Sequence, residues 1–385
     1  MKKVLVINNK YKIKGGEDSN IIDEINLLKN KYTVEFLEFD NSKKISLSDL
    51  ISLFTNSNLV SNQILLKKLK SFNPDVVYVH NLWFVGNLGI LKILKKYNFN
   101  TIIKIHNFRY YCARSFLIKK HLNLKSKCNA CNMSSNSSIL FNKYFHDSYL
   151  RSFLLIIYIK RYLNILKSDK LKILSITNFH QHYLIKSGVD ENKLDLYLNP
   201  IEIKKTKYNK NLSNSKNIIY AGRLTEEKGV KELLRTWRDV EINDFILNVY
   251  GTGPLEDELV KKYSSENIIF HGEVDNDIVI EAIAKARAVI TSTKMYEGQP
   301  RLLCEASSFG VPSIFPSFGG MTEFFPDNYK FSFKQFDYDD LLKKIILLKD
   351  IEILNEEGMR VQEYLLNKLD KNHLLDKFDK ILEKN

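Results

Sequence analysis

Two glutamates lie close together in the stretch YEGQPRLLCEASSFG, residues 296–310. The run AVITST (288–293) predicts a strand, and Glu297 with Gly298 predicts the loop after it. Pro300 is expected in the first turn of the helix that follows. Glu305 falls about a turn and a half into the helix that the pattern predicts next. Ligands of parallel sheets bind at this edge, and a helix N-terminus there favours phosphate. Because ionised carboxylates accept hydrogen bonds from hydroxyl groups, the stretch suits a nucleotide sugar, which carries phosphates and many hydroxyls.

Two cations earlier in the chain could serve the phosphates of such a ligand. Arg223 lies near the end of the run NIIYAGRL and Lys228 lies in the following TEEKG, so both flank a predicted strand-to-helix loop. A guanidinium fork and an ammonium group placed there could clamp a diphosphate. The plain alternative is that both cations are solvated surface residues, and that the two glutamates only favour a helix dipole or solvent.

Polar residues also end predicted strands in the first half of the chain. His80 and Asn81 close DVVYVHN, and His106 lies near the end of TIIKIHN, so both histidines fall at carboxyl ends of strands, where the ligand edge of a sheet is expected. Gly16 belongs to a Gly-Gly loop between the first predicted strand and an acidic helix, which is a phosphate-loop arrangement. Each of these features alone also fits an ordinary turn or a structural loop histidine.

Strands alternate with helices along most of the chain, which predicts an α/β fold of parallel, doubly wound sheets. A chain of 385 residues is long enough for two such domains, each with its own core. Asn199-Pro200 and the polar run KKTKYNKNLSNSK mark a linker. We therefore expect one domain over 1–200 and a second that starts at 201.

Positive charge is concentrated in residues 41–170, which hold 21 Lys and Arg against 4 Asp and Glu, a net charge of +17. The whole chain has a formal net charge of +13, so the rest of the sequence is slightly acidic. A basic half predicts an anionic partner, although a lysine-rich solvated surface fits as well. No recognition helix, RNA-binding motif or zinc-finger spacing favours nucleic acid, so acidic lipid is the preferred partner.

Several patterns bear on location. The sequence contains no run of about 18 apolar residues, so no membrane span is predicted. The N-terminal stretch KKVLVINN is not expected to be a signal peptide. The helix predicted over 148–167 is apolar and basic and could rest on a membrane, but its apolar residues are too widespread for a clean stripe, which favours the core. Four cysteines in a chain of this length favour the cytoplasm over a disulfide scaffold.

Two patterns could bind a metal. Cys112, Cys128 and Cys131 with a nearby histidine would make a structural zinc site, although a single Cys-x2-Cys pair also fits reduced, partly buried thiols. Asp275 and Asp277 have the spacing of a divalent-metal site. Acidic residues also belong at the start of the helix that follows them, so we expect a helix cap there.

The motifs AGRL, EEKG, VYGTGP, FHGEV and EGQPRLLCEA, in this order and spacing, resemble the C-terminal domain of the family-4 retaining glycosyltransferases. The GGED loop, DVVYVHN and KIHNFRYYC with its downstream Cys-x2-Cys resemble the acceptor domain of that family. The resemblance covers nearly the whole chain. It implies the GT-B fold, two Rossmann-like domains facing a cleft, with the nucleotide-sugar domain at 201–365 and a last helix at 366–385 crossing back to the first domain.

The resemblance also implies roles for the candidate residues. Arg223 and Lys228 would neutralise the departing diphosphate, and Glu297 would contact hydroxyls of the transferred sugar. Glu305 would hold the ribose, and His106 matches the histidine beside the donor sugar. The implied donor-binding residues are Gly16, Gly222, Gly251, Gly298, Gln299, Pro300, Arg301, Leu302 and Glu305, and the acceptor-side residues are His80 and Asn81. Gln299 and Arg301 depart from the apolar or small residues that are usual in the family, and the added cation of Arg301 could contact a phosphate or the acceptor.

The implied function is the transfer of one hexosyl group, with retention, from a UDP- or GDP-linked sugar to a lipid-linked or oligosaccharide acceptor. Such a step would belong to capsule, O-antigen or exopolysaccharide biosynthesis, without metal or cofactor, at the inner face of the cytoplasmic membrane. The alternatives are a transferase with a soluble acceptor and a non-catalytic GT-B subunit that binds nucleotide or glycan and regulates a partner transferase. The four charged residues Arg223, Lys228, Glu297 and Glu305 argue against a non-catalytic subunit. A nucleic-acid-binding protein is the most distant alternative.

Overall fold

The computed structural model of the chain describes residues 1–10, 16–41, 52, 54–108, 110, 148–168, 170–202, 212–238 and 244–383. The described residues up to 201, together with those from 369 onwards, form one compact unit. Residues 202–368 contribute the described part of a second compact unit. We call these the first unit and the second unit.

A parallel sheet forms the centre of the first unit. Its described strands are β1 (Lys3–Lys10), β2 (Thr33–Asp40), β3 (Val76–Val79), β4 (Thr101–Ile105), β5 (Lys172–Ser175) and β6 (Leu194–Leu196). The described helices that accompany them are α1 (Gly16–Leu28), α2 (Leu59–Phe72), α3 (Gly89–Lys96), α4 (Tyr149–Ser168) and α5 (Asn178–Lys186), with a short 3₁₀ turn at Glu191–Lys193. The strands lie in the spatial order β2-β1-β3-β4-β5-β6. Because β2 and β3 flank β1, the chain changes direction across the sheet between β1 and β3, where ligands of such sheets bind.

The strands of this sheet are apolar because both of its faces are covered. The side chains of 4–7 in β1 and of 76–79 in β3 are at most 3% exposed. Continuous apolar runs of this kind are typical of parallel sheets, whose strands are buried on both sides. The apolar core joins these strands to residues of α2, α3, α4 and α5, such as Leu65, Leu94 and Leu163.

A second parallel sheet forms the centre of the second unit. Its described strands are β7 (Asn217–Ala221), β8 (Ile246–Tyr250), β9 (Ile268–Gly272), β10 (Ala288–Ile290), β11 (Ser313–Pro316) and β12 (Ser332–Phe333). The described helices are α6 (Val230–Arg238), α7 (Glu256–Tyr263), α8 (Asn276–Ala284), α9 (Arg301–Ser308), α10 (Tyr338–Leu347) and α11 (Ile351–Lys368), with 3₁₀ turns at Leu212–Asn214, Glu226–Lys228 and Gly319–Phe324. The spatial order β12-β11-β10-β7-β8-β9 places the change of direction between β7 and β10.

The last helix, α12 (Lys371–Glu383), belongs to the first unit. Its Phe378 ring lies 5.7 Å from the ring of Tyr32, 5.3 Å from that of Tyr78 and 5.4 Å from that of Tyr197, measured between centroids. The neighbouring Asp379 accepts a hydrogen bond from the Tyr32 hydroxyl. The helix therefore covers the sheet face from which Tyr78 projects.

The predicted α/β fold class, with two doubly wound parallel sheets, is confirmed. Three local details differ from the sequence-based expectation. Pro300 is the N-cap of α9 and does not lie within its first turn. The strand β10 ends at Ile290, so Thr293 lies in the loop that follows. Asp275 occupies the N-cap position of α8, but its side chain makes no capping hydrogen bond.

The helix α4 is mostly a core element, as its broad apolar surface predicted. Leu155, Ile159 and Leu163 are at most 5% exposed. Its first turn differs, because Tyr149 and Leu150 are 54% and 59% exposed. Within the described part of the chain, no helix combines the length and the apolar character needed to traverse a bilayer.

Candidate functional site

The ion pair between Lys228 and Glu297 lies at the change of direction in the second sheet. The Lys228 Nζ is 2.7 Å from Glu297 Oε1, and the two side chains are 24% and 25% exposed. The Thr293 hydroxyl lies 3.3 Å from the same carboxylate oxygen. Lys228 follows β7 and Glu297 follows β10, two neighbouring strands, so the structure brings together residues that are 69 positions apart in the sequence.

Gly229 explains how the Lys228 loop comes so close to the Glu297 loop. Its φ is +68°, and a Cβ placed on it would lie 2.0 Å from the carbonyl oxygen of Ser292. The Ser292 hydroxyl in turn donates to the Gly229 carbonyl at 2.7 Å. Only a residue without a side chain permits this main-chain contact, which holds the ammonium group of Lys228 beside Glu297.

Arg223 is placed differently from Lys228. Its side chain is 57% exposed, and its guanidinium lies 3.7 Å from the Glu227 carboxylate. Its carbonyl oxygen accepts a hydrogen bond from the Tyr220 hydroxyl at 3.2 Å. Ion pairs this exposed contribute little to stability, so the guanidinium has little to lose by exchanging its carboxylate for another anion.

Two of the predicted donor-binding glycines lie in main-chain contact with one another. Gly251 has a φ of +114°, and a Cβ on it would lie 2.2 Å from the carbonyl oxygen of Gly222. Gly222 also donates its N–H to the Tyr250 carbonyl at 3.0 Å. The close packing of the loops after β7 and β8 is therefore a structural reason for glycine at 251, independent of any ligand.

The start of α9 carries a second ion pair. Arg301 Nε donates to Glu305 Oε1 at 2.8 Å, one helical turn away, with side chains that are 19% and 10% exposed. Gly298 and Gln299 lie in the loop before the helix, and Leu302 lies in its first turn. The first turn of a helix leaves N–H groups without intrahelical acceptors, which favours an anion at this place.

His80 and His106 meet in the first unit. His80 Nδ1 lies 2.8 Å from His106 Nε2, and the two rings are stacked with centroids 5.1 Å apart. Both histidines line a small cavity with Asn81 and Asn107 and with Glu17, which follows Gly16, the first residue of α1. Aromatic rings of Trp83, Tyr158 and Tyr162 complete its wall.

Asn81 has a structural task at the edge of this cavity. Its side-chain amide donates to the Asn9 carbonyl at 2.7 Å, and its oxygen accepts from the Trp83 N–H at 3.0 Å. The side chain thereby ties the end of β1 to the loop after β3. Its contribution to a ligand site is to hold these loops in place.

An ion pair buried beneath the two histidines was missed by sequence reasoning. Lys104 and Glu24 are 0% and 1% exposed, and their charged atoms lie 2.8 Å apart. Lys104 also donates to the Leu198 carbonyl at 3.2 Å and lies 4.6 Å from the centre of the Tyr197 ring. The Tyr78 hydroxyl donates to Glu24 at 2.5 Å. The signal that could have been read is a lysine inside the otherwise apolar strand TIIKI, where a charge needs a buried partner.

The pKa values of these groups follow from burial. Burial lowers the pKa of His80 and of His106 well below the usual value, and the positive charge of Lys104 lowers them further. Burial lowers the pKa of Lys104, and the adjacent Glu24 carboxylate acts in the opposite direction. Burial also lowers the pKa of His180, whose ring stacks on Phe108, to about 3. The three imidazoles are therefore uncharged at neutral pH.

The predicted zinc residues Cys112, Cys128 and Cys131 lie outside the described residues. Among the residues that the structure does describe, no cluster of three or more His, Cys, Asp or Glu side chains is arranged to hold a metal ion. Cys304 in α9 is buried, and burial raises the pKa of its thiol, which makes it unreactive.

The segment that carries the Lys228–Glu297 and Arg301–Glu305 ion pairs also matches a protein-family model. Residues 202–364 match the family model of the "Glycosyl transferases group 1". This segment holds Arg223, Lys228, Glu297 and Glu305, the charged residues that the sequence motifs singled out.

Two curated proteins resemble parts of the chain. The chain is 31% identical over 102 residues to the amylovoran biosynthesis glycosyltransferase AmsD of Erwinia amylovora, which covers 25% of this chain and 28% of AmsD. It is 27% identical over 167 residues to the uncharacterized glycosyltransferase MJ1607 of Methanocaldococcus jannaschii, which covers 41% of this chain and 42% of that protein. The chain thus matches less than half the length of either relative.

The whole chain also resembles a solved structure. Anabaena HepE, determined in complex with UDP and glucose, aligns over 100% of both chains with a TM-score of 0.67 and 14% sequence identity. At this identity the likeness shows a shared fold. It agrees with the two six-stranded parallel sheets and confirms the predicted GT-B class.

Proposed function

We propose that this protein is a retaining glycosyltransferase that moves a sugar from a nucleotide diphosphate sugar to a lipid-linked or oligosaccharide acceptor in surface-polysaccharide assembly. One observation carries the proposal: the Lys228–Glu297 pair lies between β7 and β10, at the ligand edge of a sheet within the segment that matches the group 1 glycosyl transferases. The Arg301–Glu305 pair at the start of α9 adds a second polar contact for the same ligand.

Lys228 and Arg223 are proposed to stabilise the leaving diphosphate. Cleavage of a sugar–phosphate bond builds negative charge on the diphosphate and positive charge on the anomeric carbon. An ammonium group has three N–H donors, so Lys228 can keep Glu297 and still donate to a phosphate oxygen. The exposed Arg223 guanidinium and the N–H groups at the start of α9 stabilise the same developing charge. Because these groups supply the positive charge that a metal ion would supply, we propose a reaction without metal.

The two glutamates bind opposite ends of the donor in this proposal. Glu297, held by Lys228 and Thr293, accepts hydrogen bonds from hydroxyls of the transferred sugar. Glu305, held by Arg301, accepts hydrogen bonds from the ribose. HepE was solved with UDP and with UDP-glucose, so a UDP-linked sugar is the first donor to test and a GDP-linked sugar the second. The remaining donor contacts in the second unit are assigned to Gly222, Gly251 and the loop of Gly298 to Leu302.

Retention of configuration requires the acceptor to attack from the face that the diphosphate leaves. In this mechanism a phosphate oxygen takes the proton of the acceptor hydroxyl, so no side chain needs to act as a general base. The burial that keeps His106 uncharged agrees with this, because an uncharged imidazole can position a hydroxyl by a hydrogen bond without supplying a charge.

The surface of the first unit supports a membrane-associated acceptor. Leu59 and Val60 of α2 are 72% and 52% exposed, and Leu150 and Phe153 of α4 are 59% and 50% exposed. These apolar side chains lie in a region of the sequence with a net charge of +17. Exposed apolar residues among lysines favour an anionic lipid surface, and the name of AmsD links that relative to polysaccharide biosynthesis. We therefore place the acceptor at the inner face of the cytoplasmic membrane.

Nucleotide binding by single-carboxylate variants tests the proposal. The affinity of UDP and of GDP is measured by calorimetry with EDTA present, and sugar transfer or donor hydrolysis is measured in parallel. Glu305→Gln should weaken nucleotide binding by about 10- to 100-fold, because it removes charge-assisted hydrogen bonds to the ribose. Glu297→Gln should leave nucleotide affinity within about 3-fold but reduce transfer by at least about 10-fold.

The matched control is Glu266→Gln, an exposed glutamate of the same unit, which should change neither quantity. Equal weakening of nucleotide binding by Glu297→Gln and Glu305→Gln would contradict the division of roles between them. If neither UDP nor GDP binds the wild-type protein, the donor assignment is wrong, and a regulatory GT-B subunit becomes the better description.

A further inference from the structure

His80 and His106 in the first unit contact each other through their inner nitrogens, and each ring keeps one outer nitrogen. The inner nitrogens, His80 Nδ1 and His106 Nε2, lie 2.8 Å apart. The outer nitrogens, His80 Nε2 and His106 Nδ1, are buried, and neither has a hydrogen-bond partner among the residues that the structure describes. Buried polar atoms are nearly always paired, so an unpaired one in a cavity wall marks a place where a ligand or a function is expected.

The inner hydrogen bond links the protonation of the two rings. A neutral imidazole carries one proton, on one of its two nitrogens. If His80 Nδ1 donates, His106 Nε2 must accept, and His106 then carries its own proton on the outer Nδ1. If the inner bond runs the other way, the outer Nδ1 of His106 is a bare lone pair. The direction of the hydrogen bond with His80 therefore determines whether the outer Nδ1 of His106 is a hydrogen-bond donor or an acceptor.

We propose that His80 is a positioning residue that donates through Nδ1 to His106, so that the outer Nδ1–H of His106 donates to an oxygen atom of the bound substrate. This direction is part of the proposal, because a substrate oxygen that accepts a hydrogen bond requires an N–H group at the outer nitrogen, whereas a lone pair there would repel it. The inference rests on the proposed function, in which His106 contacts substrate, and it adds a role for His80 that the function alone does not require.

The groups packed around the two rings support an uncharged pair. Burial and the Lys104 ammonium group disfavour a proton on either ring. The charge of Glu24 is matched by Lys104 and by the Tyr78 hydroxyl. Other titratable groups around the pair, among the described residues, are Glu17 on the cavity wall, which accepts from Asn107 at 3.3 Å, and the buried and uncharged His180. The phenols Tyr158 and Tyr162 also line the cavity, and the phenol of Tyr197 lies beside Lys104. If both rings were charged, two N–H groups would face each other at the inner contact.

The tautomer of His106 can be read directly from the full-length protein. Long-range proton–nitrogen NMR spectra of ¹⁵N-histidine-labelled protein distinguish Nδ1–H from Nε2–H, and the spectrum of His106→Gln identifies the His106 signals among the 8 histidines. Wild-type His106 should carry its proton on Nδ1. His80→Leu removes the donor, so His106 should change to the Nε2–H form. His80→Asn places an amide N–H near the position of the lost Nδ1, so it should restore the Nδ1–H form.

The kinetic test uses the same variants. With UDP-glucose as the probe, His80→Leu should lower kcat for donor hydrolysis or transfer by about 10-fold or more, because it removes the donor hydrogen bond of His106, while UDP affinity stays within about 3-fold. His80→Asn should recover most of the lost kcat. The control is His182→Asn, at an exposed histidine on α5, which should remove only the His182 signals and should change neither the His106 tautomer nor the rate.

Two NMR results would overturn the inference. One is an Nε2–H proton on wild-type His106. The other is a His106 tautomer that stays the same in His80→Leu while its ring signals show an intact fold. Because the spectra need no turnover, the tautomer is decided even if UDP-glucose proves not to be the donor, so failure of the proposed function and failure of this inference are distinguishable. Recovery of kcat in His80→Asn without recovery of the tautomer would also contradict it.

Discussion

The buried ion pair of Lys104 and Glu24 leads to a strong effect of one substitution on stability. Lys104→Met keeps an unbranched apolar side chain of similar length but removes the charge. Glu24, 1% exposed, would keep only the hydrogen bond from Tyr78 in place of its ion pair at 2.8 Å. Removing one partner of a buried pair costs roughly 3–5 kcal/mol, because the other charge stays buried without compensation. That is a large part of the total stability of a domain, which is about 5–15 kcal/mol.

The first unit also contains a matched control. Lys68 and Glu35 form the same kind of pair at 2.9 Å, but their side chains are 32% and 41% exposed. An exposed pair contributes about 0–1 kcal/mol, because water solvates both charges when the pair is broken. Lys68→Met should therefore lower the free energy of unfolding by less than about 1 kcal/mol. The two substitutions are chemically identical, so the difference between them measures burial.

Urea unfolding followed by fluorescence can measure both variants in the first unit alone. The chain has 2 tryptophans, of which Trp83 lies in the first unit and Trp237 in the second. In a Trp237→Phe background the emission reports only on Trp83, which contacts the ring of Tyr158 edge-on at 4.7 Å between centroids. Lys104→Met should lower the midpoint with little change in the slope, since the area exposed on unfolding is nearly unchanged.

The double substitution completes the test. Lys104→Met combined with Glu24→Gln leaves no buried charge, and buried ion pairs can often be replaced by uncharged groups at little loss. It should therefore be more stable than Lys104→Met alone. The argument from burial is refuted if Lys104→Met lowers the free energy of unfolding by no more than Lys68→Met does. It is also refuted if the loss in the double variant equals the sum of the losses in the two single variants.

Three further predictions concern backbone strain, pH and lipid. Gly251→Ala should destabilise the second unit by at least about 2 kcal/mol in urea unfolding, because its Cβ would lie 2.2 Å from a carbonyl oxygen at a φ of +114°. The control Gly222→Ala, whose Cβ would lie 3.5 Å from the nearest atom, should change the free energy of unfolding by less than about 0.5 kcal/mol. Equal losses of stability in the two variants would contradict the steric argument. Burial lowers the pKa of His180 to about 3, so between about pH 6.5 and that value the unfolded chain binds more protons than the folded one, and stability must fall on acidification by up to about 1.4 kcal/mol per pH unit. The difference between the urea midpoints at about pH 7 and about pH 5.5 should therefore be smaller in His180→Phe than in the wild-type protein. An equal difference in the two proteins would be evidence against a neutral buried ring. Replacing the exposed Lys67 and Lys70 of α2 with Gln should weaken sedimentation with anionic vesicles by about 2 kcal/mol without affecting UDP binding, and unaltered sedimentation would remove the membrane argument for this helix.

Much of the architecture could be read from local patterns. Apolar runs such as VLVI and VVYV followed by glycines, polar residues and helical spacing indicate parallel strands with helical crossovers, and the structure contains them. The sequence placed His80 and His106 at the carboxyl ends of two strands, and the structure shows that these strands are neighbours and that the two rings meet. Boundaries were less accurate, as with the strand that ends at Ile290, because strand ends depend on pairing with neighbours.

The sequence by itself determined which residue types stand at strand ends, where the glycines lie, and which segment carries the transferase motifs. Only the tertiary structure decided how those residues pair. Lys228 bonds Glu297 across 69 positions and Lys104 bonds Glu24 across 80, because strand order in the sheet and helix packing, rather than sequence spacing, set these distances. The charge state of His80 and His106 was decided in the same way, since it follows from burial and from the nearby Lys104, and burial is a property of the packed chain.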